Sequence, residues 1–226
     1  MELRDTALAR AYFALQEKTS LAWLGSTRIT ANQLTILGLL LALLVPGAFF
    51  LHPWLGLVFM GLSAAADSLD GPLARKRGEQ SSLGAFVDST SDRVADFFYL
   101  CGFWVLFWQQ TQQRFLATFL VFSAFLLTVL ISYIKARIEG LGGTCQVGLL
   151  GRAPRTIYLL CWALLLALWP AGQGLLLWGG LALFWLLSLF TVIQRLQQAH
   201  RIWSFPDAES VTYIDSHHDP DSDSKI

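Results

Sequence analysis

The amino-acid sequence predicts an all-α integral membrane protein, in which six transmembrane helices follow an N-terminal amphipathic helix at the membrane interface. The 226 residues are 54% hydrophobic and only 14% charged, whereas soluble domains average about 25% charged residues. The hydrophobic residues also gather into six apolar runs that qualify, or nearly do, as helices of about 20 residues crossing a bilayer. The formal net charge is +0, so global charge suggests no nucleic-acid partner.

The predicted elements divide the chain into three parts. In residues 1–28, apolar residues recur at roughly helical spacing with basic residues between them, a pattern typical of a helix that lies in the interface. Residues 29–200 form the transmembrane domain, and residues 201–226, rich in Asp and Ser, are expected to form a disordered cytoplasmic tail. The six spans are expected near residues 34–51, 54–66, 94–108, 115–133, 157–169 and 175–193.

The placement of lysine and arginine predicts the orientation of these spans. When both termini and the loops after spans two and four lie on one side, fifteen of the 16 basic residues lie on that side and Arg114 alone lies on the other. An excess of Lys and Arg marks the cytoplasmic side. The sequence therefore predicts a multi-pass protein of the inner cell membrane with both termini in the cytoplasm.

Four aspartates interrupt the apolar pattern around the loop between spans two and three. Asp67 and Asp70 lie three residues apart, and Asp88 and Asp92 lie four residues apart, so each pair lies on one helix face. Span two must then continue through Asp70, and span three must begin before Asp88. Because the connecting loop is short, we expect two antiparallel neighbouring helices whose carboxylates converge near the cytoplasmic boundary.

Such a cluster predicts a metal site. Carboxylates near lipid are costly unless cations neutralise them, and hard divalent cations take oxygen ligands. Four acids suit two ions about 3.5–4 Å apart, an arrangement that supports phosphoryl transfer. Two alternatives remain: ion pairing with nearby basic residues, and a divalent-cation transporter, although no second acidic cluster suggests the paired repeats of transporters. Asp96, one turn deeper, is either a helper of the cluster or part of a packing pair.

The spacing of this segment resembles the signature of a known enzyme family. The pattern D-x-x-D-G-x-x-A-R-x8-G-x3-D-x3-D begins at Asp67 and ends at Asp92. All eight of its fixed positions match the signature of the CDP-alcohol phosphatidyltransferases. Residues 30–35, T-A-N-Q-L-T, are similar to the T-P-N-x-x-T segment of that family, with Ala31 in place of proline. Asn32 and Thr35 are therefore candidates for nucleotide contact or for capping of span one.

The resemblance implies a reaction and a set of site residues. It implies two divalent cations, Mg²⁺ or Mn²⁺, bound by Asp67, Asp70, Asp88 and Asp92. It implies that the CDP group of CDP-diacylglycerol lies against Gly71, Ala74, Arg75 and Gly84. Asp92 would take the proton of a small alcohol acceptor, whose oxygen attacks the β-phosphorus and releases CMP at a cytoplasmic active site. The family also implies a homodimer.

The basic residues after span four predict a phosphorylated acceptor, because Arg and Lys suit phosphate; for each of them, the positive-inside bias is an alternative explanation. The S-Y-x-K-A-R segment at 132–137, followed by R-x-x-R at 152–155, is similar to the prokaryotic phosphatidylinositol-phosphate synthases, which implies inositol phosphate. Gly151 and Pro154 stand where those enzymes usually have glutamate, so glycerol 3-phosphate, the acceptor of phosphatidylglycerophosphate synthases, stays open. The candidate acceptor residues are Lys135, Arg152, Arg155 and Arg195.

Overall fold

The structure, a computed structural model, describes residues 29–204, so the predicted interfacial helix and residues 205–226 of the predicted tail lie outside the described residues. Between residues 29 and 204 the chain forms six long α-helices and one short 3-10 helix, with no β-strand. In chain order the α-helices are α1 (Ala31–Leu51), α2 (Pro53–Arg77), α3 (Ser82–Gln110), α4 (Arg114–Gly140), α5 (Arg152–Leu168) and α6 (Gln173–Ser204), and the 3-10 helix Pro170–Gly172 precedes α6.

Five of the six apolar runs fall within their own helices, and the fifth run, predicted at 157–169, passes the end of α5 at Leu168 by one residue. The prediction that polar residues lie inside two of the helices is confirmed, because α2 contains Asp67 and Asp70 while α3 contains Asp88 and Asp92. α6 continues to Ser204, past residue 201 where the sequence predicts the tail to begin. The extended N-terminal part of α3 is polar, and this part positions the candidate site.

Three of the described helices are long and apolar enough to cross a membrane: α1, α4 and the continuous helical segment Pro170–Ser204. α2 and α3 carry the acidic and basic residues of the cluster, and α5 has only 17 residues. Large apolar side chains of α1 are exposed, among them Leu40, Leu43 and Leu44. Exposed apolar helix surfaces of this length indicate a membrane protein.

α1 is the central helix around the cluster, since it packs against both α2 and α3. Its approach to α2 is close: a Cβ atom on Gly38 would lie 3.3 Å from the Ser63 carbonyl oxygen. The Ser63 hydroxyl donates to the Gly38 carbonyl at 2.6 Å, and the Tyr99 hydroxyl of α3 donates to Ser63 Oγ at 2.8 Å. α2 and α3 themselves touch at few points, so their acids face each other across an opening rather than across a tightly packed seam.

α3 and α5 run in the same direction and contact each other in a repeating register. The Arg155 guanidinium donates to both carboxylate oxygens of Asp96, at 3.2 and 2.6 Å. Two turns further along each helix, Phe103 stacks on Trp162 with ring centroids 4.0 Å apart. Long side chains therefore join these two helices, in an ionic layer and then an aromatic layer.

The Asp96–Arg155 pair is buried, with side-chain exposures of 7% and 2%. Removing one member of a buried ion pair leaves an uncompensated charge and costs about 3–5 kcal/mol. We expect Asp96→Asn to lower the midpoint of thermal unfolding in detergent clearly, and Asp96→Leu combined with Arg155→Met to lower it less. Lys135→Gln, which breaks an exposed pair with Glu139, is the control. Unfolding of Asp96→Asn at the wild-type temperature would contradict the predicted contribution.

Phe49 of α1 fills the space beside two glycines on the neighbouring helices. A Cβ atom on Gly56 of α2 would lie 2.3 Å from Phe49 Cγ, and one on Gly102 of α3 would lie 2.5 Å from Phe49 Cδ2. Phe49 is 1% exposed, so its ring is enclosed by the neighbouring helices. These two glycines therefore allow three helices to meet at one aromatic ring.

Gly56→Ala is expected to destabilise the protein, although alanine normally favours a helix. Overpacking of this kind costs about 1–3 kcal/mol, more than the roughly 0.5–1 kcal/mol by which alanine improves on glycine within a helix. Thermal unfolding in detergent measures the effect. Gly61→Ala on the same helix is the control, because the nearest atom to its added Cβ is Leu160 Cδ2 at 4.0 Å. An equal response of the two variants would be evidence against the packing role.

Candidate active site

Three of the four predicted acids meet where α2 ends and α3 begins. One carboxylate oxygen from each of Asp67, Asp70 and Asp88 lies within 4.8 Å of the other two. Asp70 is buried, while the other two are half-buried. The i, i+3 spacing on α2 and the start of α3 at Ser82 bring these groups together, as the sequence predicts.

Asp92 joins the cluster through Arg152, the first residue of α5. Arg152 Nη2 lies 2.6 Å from Asp67 Oδ2, 2.6 Å from Asp92 Oδ1 and 3.2 Å from Asp88 Oδ1. Arg152 Nη1 also donates to Asp88 Oδ2 at 3.2 Å. A single guanidinium group thus bridges carboxylates from both helices, and Asp92, buried beneath it, belongs to the same cluster.

The cluster contains the oxygens and the charge that a divalent-cation site requires. Its four carboxylates face two guanidinium groups, those of Arg152 and of Arg93, which lies 3.2 Å from Asp92 Oδ2. Negative charge therefore remains in excess where three carboxylate oxygens already converge. Hard divalent cations bind through oxygens of this kind, so the residues present fit such ions.

Asp70 has a partner that the sequence does not reveal. The Thr35 hydroxyl of α1 lies 2.6 Å from Asp70 Oδ2 and 3.1 Å from the Ala31 carbonyl oxygen. The cap of α1 is Thr30, whose side chain accepts from the Gln33 amide in a capping box. Capping is therefore not the role of Thr35, which instead orients a carboxylate of the cluster from a neighbouring helix.

The residues expected at the CDP group lie on both sides of the short loop between α2 and α3. Gly71 and Ala74 are half-buried on α2, and Arg75 follows them as an exposed cation. A Cβ atom on Gly71 would lie 3.6 Å from Arg75 Nη1, so Gly71 lies directly beside that guanidinium. Gly84 lies in the first turn of α3, where its amide donates to Ser81 Oγ at 3.0 Å. A Cβ atom on Gly84 would lie 4.0 Å from Asn32 Oδ1.

The four residues expected to bind the acceptor phosphate are in two different situations. Arg155 is buried and bonded to Asp96, which makes Asp96 part of a packing pair rather than a free member of the cluster. Arg195 is buried and donates to the carbonyl oxygens of Val147, at 3.1 Å, and Ile131. Lys135 is half-exposed and lies 3.6 Å from Glu139, and Arg152 is 42% exposed at the acids. The structure therefore leaves two of the four accessible.

Solved structures of a phosphatidylinositol phosphate synthase have a fold similar to that of this chain. The crystal structure of Mycobacterium tuberculosis phosphatidylinositol phosphate synthase in complex with manganese and citrate is similar, with a TM-score of 0.68 and 29% identity, over 84% of this chain and 88% of that chain. The structure of the same enzyme with CDP-DAG bound gives a TM-score of 0.64 and 30% identity, over 84% and 92% of the two chains.

Sequence comparison agrees. Phosphatidylinositol phosphate synthase from Mycobacterium tuberculosis strain H37Rv is 32% identical over 212 residues, which are 89% of this chain and 92% of that protein. The family model described as CDP-alcohol phosphatidyltransferase matches residues 28–192. These residues contain the whole acid cluster and all but the last part of α6, and the chain therefore belongs to the CDP-alcohol phosphatidyltransferase family of enzymes.

Proposed function

We propose that this enzyme transfers the phosphatidyl group of CDP-diacylglycerol to a hydroxyl of inositol phosphate and releases CMP. The observation that carries the proposal is the convergence of Asp67, Asp70 and Asp88, with Asp92 bridged to them by Arg152. The similarity to a phosphatidylinositol phosphate synthase with CDP-DAG bound supports the donor and the acceptor.

The ligands of two divalent cations, Mg²⁺ or Mn²⁺, are proposed to be Asp67, Asp70, Asp88 and Asp92. When bound, such ions neutralise phosphate charge and stabilise the leaving group of a phosphoryl transfer. The manganese complex of the similar synthase supports the choice of ion. Thr35, 2.6 Å from Asp70, holds one of these carboxylates in place.

Asp92 is the proposed catalytic base. Its side chain is 6% exposed and is held between Arg152 and Arg93, so its carboxylate is oriented and shielded from bulk water. The acceptor hydroxyl transfers its proton to this carboxylate as its oxygen bonds to the β-phosphorus, and the bond from that phosphorus to CMP breaks. An ionised carboxylate within reach of a bound hydroxyl is suited to general-base catalysis.

Gly71, Ala74, Arg75 and Gly84 are proposed to contact the CDP group. Because neither glycine carries a side chain, the donor would be able to approach the backbone beside Arg75 and near Asn32. The exposed guanidinium of Arg75 is suited to the diphosphate. A lipid donor of this kind would enter from the bilayer and present its nucleotide at the loop between α2 and α3.

The acceptor phosphate is proposed to bind Lys135 and Arg152, the two accessible cations of the predicted set. Their side chains are 47% and 42% exposed, whereas Arg155 and Arg195 are committed to Asp96 and to backbone carbonyls. Arg155 thus joins α5 to α3, and Arg195 joins α6 to α4 and to the loop after α4. Glycerol 3-phosphate is the second candidate acceptor, because Gly151 and Pro154 differ from the glutamates usual in inositol phosphate enzymes.

All six helices are proposed to cross the inner membrane, with an interfacial helix in residues 1–28. The short apolar parts of α2, α3 and α5 are explained by charged residues that face one another inside the bundle rather than lipid. The lysine and arginine bias supports a cytoplasmic active site and cytoplasmic termini. A homodimer is proposed on family grounds.

The function is tested by the lipid that the purified chain makes. With CDP-diacylglycerol and Mg²⁺ or Mn²⁺, inositol phosphate should give CMP and a phosphatidylinositol phosphate, and chelation of the metal should stop both. Inositol and serine are controls without the phosphate. A product formed only from glycerol 3-phosphate would identify a phosphatidylglycerophosphate synthase, and metal flux without CMP would identify a transporter.

The roles of the acids are tested by amide substitutions. Asp92→Asn should lower the rate of transfer by about 10²–10⁴-fold, the range that a positioned general base contributes. Asp88→Asn, which removes a proposed ion ligand, should abolish transfer. Asp92→Asn should retain binding of CDP-diacylglycerol better than Asp67→Asn, as measured by thermal shift. Thr90→Ala is the control, because Thr90 lies between the two acids on α3 and its hydroxyl donates to the Phe86 carbonyl. Wild-type transfer by Asp92→Asn would exclude Asp92 as the base.

A further inference from the structure

We propose that Arg152 is a tethered cation that competes with divalent ions for the acid cluster and, once displaced, binds the acceptor phosphate. Binding of the ions and binding of the acceptor are then coupled through one side chain. The inference rests on the proposed function for its acceptor, and it adds an order of events that the site residues alone do not specify.

The competition follows from the atoms that Arg152 contacts. Its guanidinium donates to Asp67 Oδ2, to both oxygens of Asp88, and lies 2.6 Å from Asp92 Oδ1. A divalent ion at the cluster needs oxygens from these same carboxylates. Two cations held that close also repel each other strongly, because the cluster is partly shielded from water. Ion binding therefore weakens the hold of the carboxylates on Arg152.

The structure separates a fixed arginine from a movable one. Arg155 is 2% exposed and is bonded through two nitrogens to Asp96, so it anchors the first turn of α5 against α3. Arg152, three residues earlier, is 42% exposed. Arg152 can therefore rotate away from the acids while the helix that carries it stays in place.

A phosphate monoester is a suitable new partner for the displaced group. Guanidinium binds phosphate through paired hydrogen bonds, as it binds carboxylates. The oxygens of the acceptor phosphate would thus become the partners of Arg152, in place of the carboxylate oxygens that now bind the ions. An acceptor that holds Arg152 away from the acids makes the ions bind more tightly. Thermodynamic linkage then requires the ions to tighten acceptor binding by the same factor.

The test measures Mn²⁺ affinity by calorimetry on the full chain in detergent, without CDP-diacylglycerol, so that no turnover occurs. Arg152→Gln should bind Mn²⁺ roughly tenfold more tightly than wild type, since a charge-assisted contact of this kind is worth at least that factor. Arg152→Lys, which keeps the charge without the planar fork, should be intermediate. Arg137→Gln is the matched control, because Arg137 is an exposed cation in the last turn of α4.

The coupling is measured by repeating the titrations with inositol phosphate, after correction for its own binding of Mn²⁺. In wild type it should tighten Mn²⁺ binding about fivefold or more, the lower range of measured couplings, and in Arg152→Gln it should have no effect. Coupling with glycerol 3-phosphate in place of inositol phosphate would support the role of Arg152 while contradicting the proposed acceptor. Unchanged or weaker Mn²⁺ binding by Arg152→Gln, or coupling that persists in that variant, would overturn the proposal.

Discussion

Mutual repulsion among four carboxylates at one end of an apolar bundle is the constraint that shapes this molecule. Asp67, Asp70, Asp88 and Asp92 cannot share a partly buried cluster without cations and hydrogen-bond donors around them. The structure provides two guanidinium groups and the Thr35 hydroxyl. The polar parts of α2 and α3 carry the acids, and the charged first turn of α5 lies beside them. Arg152 of that turn supplies positive charge to the cluster.

The register of α3 and α5 shows how the charges are kept away from lipid. Along both helices, an ionic layer formed by Asp96 and Arg155 is followed by the stacked rings of Phe103 and Trp162. The polar side chains thus face a neighbouring helix, and the aromatic layer begins where charge is no longer present. A short helix of 17 residues can carry two arginines in a membrane protein because its partner helix supplies acids at the matching depth.

The helices and the acid cluster were predictable from the sequence because their signals are local. Apolar runs define the helices, and the spacing of Asp67 and Asp70 fixes a shared face. The partners of the arginines were not predictable, because Arg155 meets Asp96 only where the packing of the bundle brings α5 within side-chain reach of α3. The role of Arg195 likewise depends on the path of the loop after α4, which brings the Val147 carbonyl to it. Four basic residues that look equivalent in the sequence therefore divide into two buried anchors and two accessible cations.

The first turn of α5 explains how the proposed acceptor site and the acid cluster come to share one side chain. Gly151 and Pro154 place no carboxylate beside Arg152 in the sequence. Without such neighbours, Arg152 finds anionic partners in Asp67, Asp88 and Asp92 or in a bound phosphate. Because the two partners are mutually exclusive for one guanidinium, whatever neutralises the acids also frees the group that is proposed to bind the acceptor phosphate. A chain that carried glutamate at these positions would offer Arg152 a third partner and weaken that exchange.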